Sequence, residues 1–440
     1  MADSSFQKVL DLIKEYRLRE SSLGSRGILI SSESDKGRVV NSAAFRRLQQ
    51  KAQVFPLEPN AAVRTRLTHS VEVSQIGRHL VQKVIEKHQA TDSESYAKLA
   101  AFVNTIETAC LLHDIGNPPF GHLGEAAIRD WFKKRQSEGK TAPADLLNFD
   151  GNPQGFRLAS FLSGADEYGF NLTCTLLLSM VKYPVTSVDK AADPSHSKIG
   201  LFATEYKSYA DACDKLDWEA RKKFPFVRLM DAADDIAYSM SDLEDGLEKD
   251  IISIGDLSEA FGADKFAKGA VDPFVSFKTG VINRAVEEVA QSFVKNIDAI
   301  LHGDDIKLLS ASSEIGALVK EVNAFARSRI YTDKSAEQVE LAGRSVIWGL
   351  LNHFGALLDL DEADFLSLMK EDQDAIKKKQ LDFPIRLLRR IPKNYRSKYQ
   401  VISKGDEETR RAHLIVDFIS GMTDDFALET YQILEGIRIR

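Results

Sequence analysis

The stretch Leu111-Leu112-His113-Asp114-Ile115-Gly116-Asn117-Pro118-Pro119-Phe120-Gly121-His122-Leu123-Gly124-Glu125 decides how this chain is to be read. An apolar segment from Ile106 to Leu112 runs into a His-Asp pair and stops at Gly-Asn-Pro-Pro. Proline cannot continue a helix and biases the residue before it away from the helical region. The pair is therefore expected at the end of a buried helix, with a tight turn behind it. An unpaired buried carboxylate is very costly, so Asp114 needs a partner. A metal ion would be one.

Outward from this stretch nearly everything reads as helix. Val9–Tyr16, Val71–His88, Leu99–Leu112, Leu176–Val181, Phe226–Leu247 and Val281–Ile300 carry apolar residues at i, i+3 and i+4. Strand-like alternation is confined to two short runs, Arg38-Val-Val and Lys198-Ile-Gly-Leu-Phe. Loops are expected at Ser21–Lys36, Gly139–Gly155 and Tyr183–Ser197, where Gly, Pro, Ser and Asp cluster. The pattern loosens around Gly255–Asp272, which suggests a soft boundary between residues 1–255 and 256–440. The expected fold class is all-α.

The 440 residues are 43% hydrophobic and 28% charged, as in an ordinary soluble globular protein. Cys110, Cys174 and Cys213 are too widely spaced for a disulfide framework or a zinc knuckle, which points to a reducing, cytoplasmic setting. No run approaches the roughly 18 apolar residues of a membrane helix. Net charge is −7, yet residues 17–66 hold ten Lys/Arg against four Asp/Glu, and residues 377–411 twelve against four. Such basic regions on an acidic chain are either solvated helix faces or places where phosphate or nucleic acid binds.

Two further pieces carry chemistry. His69 lies in Arg64-Thr-Arg-Leu-Thr-His-Ser, near the start of an amphipathic helix. The second piece is Asp231-Ala-Ala-Asp234-Asp235-Ile236-Ala237-Tyr238-Ser-Met-Ser-Asp242. So many carboxylates in an apolar helical pattern fit a solvated surface poorly. Asp234, Tyr238 and Asp242 recur every four residues and line one helix face. Two imidazoles with two carboxylates form a thiolate-free ligand set, suited to Mn²⁺, Mg²⁺, Fe²⁺, Co²⁺ or Ni²⁺ rather than to a closed structural zinc site. The other histidines form no second cluster, which favours one metal per subunit.

The order His69 … His113-Asp114 … Asp234 resembles the signature of the HD-domain phosphohydrolases. The surrounding words are narrower: Phe45-Arg-Arg-Leu-Gln-Gln-Lys-Ala-Gln-Val-Phe-Pro-Leu, Arg66-Leu-Thr-His69-Ser, Gly151-Asn-Pro-Gln-Gly-Phe-Arg157, Val181-Lys-Tyr-Pro184 and Asp417-Phe-Ile-Ser-Gly-Met-Thr-Asp424. Together they are similar to the dGTP triphosphohydrolase family, from residue 38 to about residue 430. The resemblance implies an HD helical core with additional C-terminal helices, and hydrolysis of a deoxynucleoside triphosphate, dGTP preferred, to deoxynucleoside and tripolyphosphate. It implies His69, His113, Asp114 and Asp234 as metal ligands, Mn²⁺ or Mg²⁺ foremost, and His122 with Glu125 as the catalytic pair. Glu125 follows His122 by three residues at an expected helix start, close enough to orient an imidazole.

On the same grounds Tyr238 would pack on the deoxyribose and Asp242 would accept its 3′-hydroxyl. Arg66, Lys182 and Tyr183 would face the phosphates, with Gln53 and Val54 near the base. A homo-oligomer, commonly a hexamer, and single-stranded DNA binding in some members are implied as well. For DNA, the interleaved Tyr395 and Tyr399 suggest stacking. The alternatives are an HD phosphohydrolase acting on another nucleotide, and a nucleotide-sensing or nucleic-acid-binding module that keeps the pocket only to hold its ligand.

Overall fold

A computed structural model describes residues 2–88, 96–164, 166–266, 272–401 and 406–438. Positions 267–271 of the expected boundary and 402–405 of the second basic region lie outside the described residues. Among the described residues the regular structure is helical, and β-pairing is limited to two isolated bridges, Arg17 with Thr173 and Ala52 with Thr65. No helix among them is long and apolar enough to cross a membrane.

By contact the chain groups into two compact units. The first holds Met1–Asp114, Asn171–Pro184 and Ser208–Val339, and the second Ile115–Phe170, Val185–Lys207 and Glu340–Arg440. Each takes segments from both sides of residue 255, so the units and the cut at 255 divide the chain differently.

In the first unit the Tyr96–Leu112 helix is buried at every position from Ala101 to Leu112 except Glu107. A helix apolar on all sides must be surrounded. It packs against Arg66–Lys87, Ile28–Val40 and Cys174–Ser179, while Arg66–Lys87 also packs on Pro225–Glu248 and Pro273–Lys295. Gly77 allows this closeness, because a Cβ there would lie 2.5 Å from the Cys110 sulfur. Each fully buried leucine adds roughly 1.5–3 kcal/mol. Much of this packing therefore converges on the helix that ends at His113-Asp114.

In the second unit the Pro118-Pro119 turn is completed by two left-handed residues, Phe120 (φ 60°) and Gly121 (φ 57°). A non-glycine residue there costs of order 1–2 kcal/mol. It is held by burial of Phe120 and by its N–H, which donates to Asp424 Oδ1 at 3.0 Å. The Gly121–Ser137 helix starts immediately after it. Gly116 meets the Gly151–Arg157 helix, and a Cβ on it would lie 2.1 Å from both Gly151 O and Gly155 N. Bare backbone on both sides permits this crossing.

Several sequence expectations need correction. Arg38-Val-Val is the last turn of the Ile28–Val40 helix rather than a strand, and that helix also occupies most of the expected Ser21–Lys36 loop. Its serines and glycine disguise it, although Ser31 and Ser32 are buried and Ser32 Oγ satisfies itself on Leu29 O. Lys198–Phe202 is irregular, and the other two expected loops contain the short helices Ala144–Leu147, Gly151–Arg157 and Ser187–Ala192. The first helix spans Ala2–Asp11, not Val9–Tyr16. The expected Val281–Ile300 helix breaks at Asn296 into Pro273–Lys295 and Ile297–His302.

Candidate metal centre

His69 sits one turn into the Arg66–Lys87 helix, whose start is fixed by a capping box between Thr65 and Thr68. Arg64, just before it, binds Glu72 on that helix (2.8 Å) and Asp245 on Pro225–Glu248 (2.7 Å), tying the two helices together at this end. His69 Nε2 lies 3.3 Å from Asp234 Oδ1. The His113 ring meets His69 edge-on, with centroids 5.4 Å apart. One ligand atom each from His69, His113 and Asp114 falls within 4.8 Å of the others, the one such group found among the described residues.

The tautomer of His113 decides what this cluster is for. Its Nδ1 donates to the Cys110 carbonyl at 2.7 Å, so Nε2 is the ring atom that faces the cluster. That Nε2 is buried without a hydrogen-bond partner and faces Asp234 Oδ1 at 3.4 Å and Asp114 Oδ2 at 3.5 Å. A proton or a cation must lie between this nitrogen and the two carboxylates, and a carbonyl behind the other nitrogen is the usual support of a metal-bound histidine. The donor set therefore fits a divalent cation held through nitrogen and oxygen.

Fixed cations complete the electrostatics. Arg66 donates to Asp114 Oδ2 at 2.6 Å, and Lys182 to Asp234 Oδ2 at 2.7 Å. Burial pushes both carboxyls up, but His113 and Arg66 hold Asp114 well below the usual carboxylate range, and Lys182 with the imidazoles does the same to Asp234. Burial opposes charging of His69, yet Asp234, Asp114 and Asp242 together raise its pKa. Metal binding there would expel a proton.

Two turns along Pro225–Glu248 lies a second polar group. The Tyr238 and Tyr331 hydroxyls bond to each other, and Tyr331 donates to Asp242 Oδ2. Asp242 Oδ1 is buried with no partner. Burial pushes this carboxyl up to about 7 and the Tyr238 phenol up to about 12. Nothing in the sequence marks Tyr331, because Arg-Ile-Tyr331-Thr-Asp-Lys carries no pattern and stands far from the other words; only the fold brings it to Asp242.

The Ala52–Thr65 bridge and the Arg66 N–H on Lys51 O (2.9 Å) bring the Gln53-Val54 turn beside the start of the His69 helix. Gln53 Oε1 is a buried acceptor without a partner. The Tyr183 ring lies under Lys223, 6.0 Å from centroid to ammonium.

In the second unit, His122 is 82% exposed at its side chain while Glu125 is 5% exposed. His122 Nδ1 meets Glu125 Oε2 at 3.1 Å, and the other carboxylate oxygen accepts the Gly151 N–H at 2.8 Å. Burial works against ionisation of Glu125, but His122, Gly151 and Arg129 hold its carboxyl below the ordinary value. The imidazole is thus oriented through Nδ1 by a fixed anion.

The family words Gly151-Asn-Pro-Gln-Gly-Phe-Arg157 and Asp417 to Asp424 gain a structural meaning in the same unit. Arg157 pairs with Asp417 (2.8 Å) and Glu205 (2.6 Å), and Gln154 donates to Asp417 at 3.0 Å. One expectation fails here. Tyr395 and Tyr399 are 7% and 6% exposed, and the Tyr399 hydroxyl donates to Glu407, so neither ring is open to stack on a base.

Residues 66–150 match the HD domain and residues 385–433 the phosphohydrolase-associated domain. Proteins named deoxyguanosinetriphosphate triphosphohydrolase from Enterobacter sp. (strain 638) and Klebsiella pneumoniae are each 34% identical to the chain, across 99% of it and 100% of their own length. The chain belongs to the deoxyguanosinetriphosphate triphosphohydrolase family of HD phosphohydrolases. The relative of that name from Salmonella typhimurium is 33% identical with the same coverage. These family alignments run to 512–514 positions against 440 residues here, so the relatives carry insertions that this chain lacks.

Proposed function

We propose that the protein hydrolyses a deoxynucleoside triphosphate, dGTP preferred, to the deoxynucleoside and tripolyphosphate. The observation that carries this reading is the buried His113 Nε2, without a hydrogen bond, grouped with His69 and Asp114 and 3.4 Å from Asp234 Oδ1. These four residues would hold one divalent cation per subunit, Mn²⁺ or Mg²⁺ foremost, with Co²⁺, Ni²⁺ or Fe²⁺ as other fits to the donor set. When bound, the cation supplies Lewis-acid polarisation of a phosphoryl oxygen and a site for water.

The chain's own residues supply the rest. Arg66, whose Nε is buried without a partner, and Lys182 are the proposed phosphate contacts, with Tyr183 beside them. Asp242 Oδ1 is an acceptor suited to the 3′-hydroxyl, and Tyr238 is placed to pack on a sugar lacking the 2′-hydroxyl. Gln53 Oε1, with Val54 beside it, suits the N–H edge of guanine. His122, oriented by Glu125, is the proposed proton-handling group.

We further propose a cytoplasmic homo-oligomer, a hexamer by family resemblance, to be tested by sedimentation. Any single-stranded DNA contact would have to use lysine and arginine head groups of region 377–411, because the two tyrosines are buried. The functional test is product analysis by anion exchange after incubation of metal-stripped protein with dGTP, GTP and the other dNTPs, with and without Mn²⁺. Deoxyguanosine plus tripolyphosphate, dependent on metal and absent with GTP, is expected. Pyrophosphate or orthophosphate in their place would overturn the reading.

A further inference from the structure

The Gly151–Arg157 helix does not end cleanly; it runs on into a π-helical turn, Leu158–Leu162, closed by the Ser163 N–H on Leu158 O at 3.1 Å. Such wide turns are rare and gather at functional sites. Beside this one, within the second unit, is a partly enclosed pocket of about 30 Å³. That is room for roughly two waters, or one compact tetrahedral anion. Arg157, Phe161, Lys398, Arg410 and His413 are among the residues that line it, together with the carboxylate of Asp417.

The charge there is uneven. Arg157 is matched by Asp417 and Glu205. Lys398 is 7% exposed, and among the described residues it makes no ion pair with a carboxylate. It donates to the carbonyls of Phe161, at 2.9 Å, and Asp166, and its ammonium stands 5.4 Å from the Phe161 ring centroid. An ammonium has three donors, so one remains for the pocket. Burial lowers the pKa of Lys398 against the opposing influence of Asp166 and Glu167. His413, 1% exposed, has a buried Nδ1 with no partner; its Nε2 stands 3.5 Å from Asp145. The Arg410 guanidinium, half-buried, lies 5.2 Å over the Tyr399 ring.

A buried ammonium capping the carbonyls of a wide turn could be purely structural. That role explains two of its donors, but not a cavity on whose wall a buried imidazole nitrogen has no partner. We propose that this pocket is a binding site for a single phosphate-class oxyanion, held by Lys398 with Arg410 and the His413 ring. The ligand is either free phosphate or the terminal phosphoryl group of a longer phosphate chain.

Selenate soaked into crystals of the full-length protein, measured at the selenium edge, tests this without any variant. An anomalous peak within hydrogen-bond distance of Lys398 Nζ is expected. In solution, metal-free protein is titrated calorimetrically with inorganic phosphate. Lys398→Met should weaken binding about tenfold, the worth of one charge-assisted bond, whereas Lys398→Arg should retain it. A merely structural lysine would lower the melting temperature and leave phosphate affinity unchanged. Lys182→Met identifies any phosphate held in the first unit. Competition by tripolyphosphate would assign the site to a chain terminus, and lack of competition to free phosphate. Water alone in the pocket, or equal phosphate affinity in wild type and Lys398→Met, would overturn the proposal. If Lys398→Met does not fold, the selenate peak decides.

Discussion

The cluster of His69, His113, Asp114 and Asp234 in the first unit and that of Arg157, Asp417 and Glu205 in the second both bury charge, and they differ in what is left over. In the second, one guanidinium binds two carboxylates and Gln154 adds a further bond to Asp417, with Gln154 Oε1 the buried acceptor left over. In the first, a buried imidazole nitrogen faces two carboxylates without a hydrogen bond to either, while Asp242 and Gln53 keep buried acceptors without donors. Carboxylates matched by a guanidinium hold a fold together, whereas an imidazole nitrogen facing two carboxylates marks a place for a cation. Burial of charge alone would not have separated the two.

The contrast breaks most sharply on removal of its parts. His113→Ala or Asp234→Asn, or chelation of the wild type, should cost at least about three orders of magnitude in dNTP hydrolysis, about 4 kcal/mol of transition-state stabilisation. Bound Mn²⁺ measured by mass spectrometry should fall in parallel. Arg157→Met should act on stability instead. It strands two buried carboxylates, an expected loss of roughly 3–5 kcal/mol by denaturant titration, whether or not metal is present. A fully stable Arg157→Met protein would remove the distinction between the clusters.

Acidity sharpens the comparison. The Asp242 carboxyl, raised by burial to about 7, binds its proton more tightly in the folded state. Its contribution is fully present below the ordinary carboxylate value and is lost as pH rises through about 7. Metal-free protein should therefore lose roughly 2–4 kcal/mol from this group between about pH 4 and 8, and Asp242→Asn should flatten that slope. Glu125 in the second unit, held low, has the opposite sign, its contribution being lost as pH falls. Thermal melts of wild type, Asp242→Asn and Glu125→Gln across pH would read both. The smallest effect belongs to Tyr331→Phe, which removes the hydroxyl between Tyr238 and Asp242. It should lower kcat/KM for dGTP by about threefold to tenfold, about 1 kcal/mol, while metal content stays unchanged.

The helix into His113-Asp114 was legible because its apolar run and the Pro-Pro stop are both local. So was the four-residue spacing of Asp234, Tyr238 and Asp242, which the Pro225–Glu248 helix presents as expected. What escaped depends on distant contacts. The Ile28–Val40 helix hides behind serines that bond within their own surroundings, and Tyr331 reaches Asp242 from 89 residues away. Tyr395 and Tyr399 looked like stacking rings because their burial cannot be read from the basic residues around them. The reason for glycine at position 116 likewise lies in a distant contact, where backbone crosses backbone.

The proposed products, deoxynucleoside and tripolyphosphate, require water to attack at the α-phosphorus. Hydrolysis of dGTP in ¹⁸O-water with Mn²⁺, followed by mass spectrometry of both products, tests it most directly. The account predicts one ¹⁸O in the tripolyphosphate and none in deoxyguanosine. Label in the deoxyguanosine hydroxyl, or in released orthophosphate or pyrophosphate with the nucleotide only shortened, would contradict it.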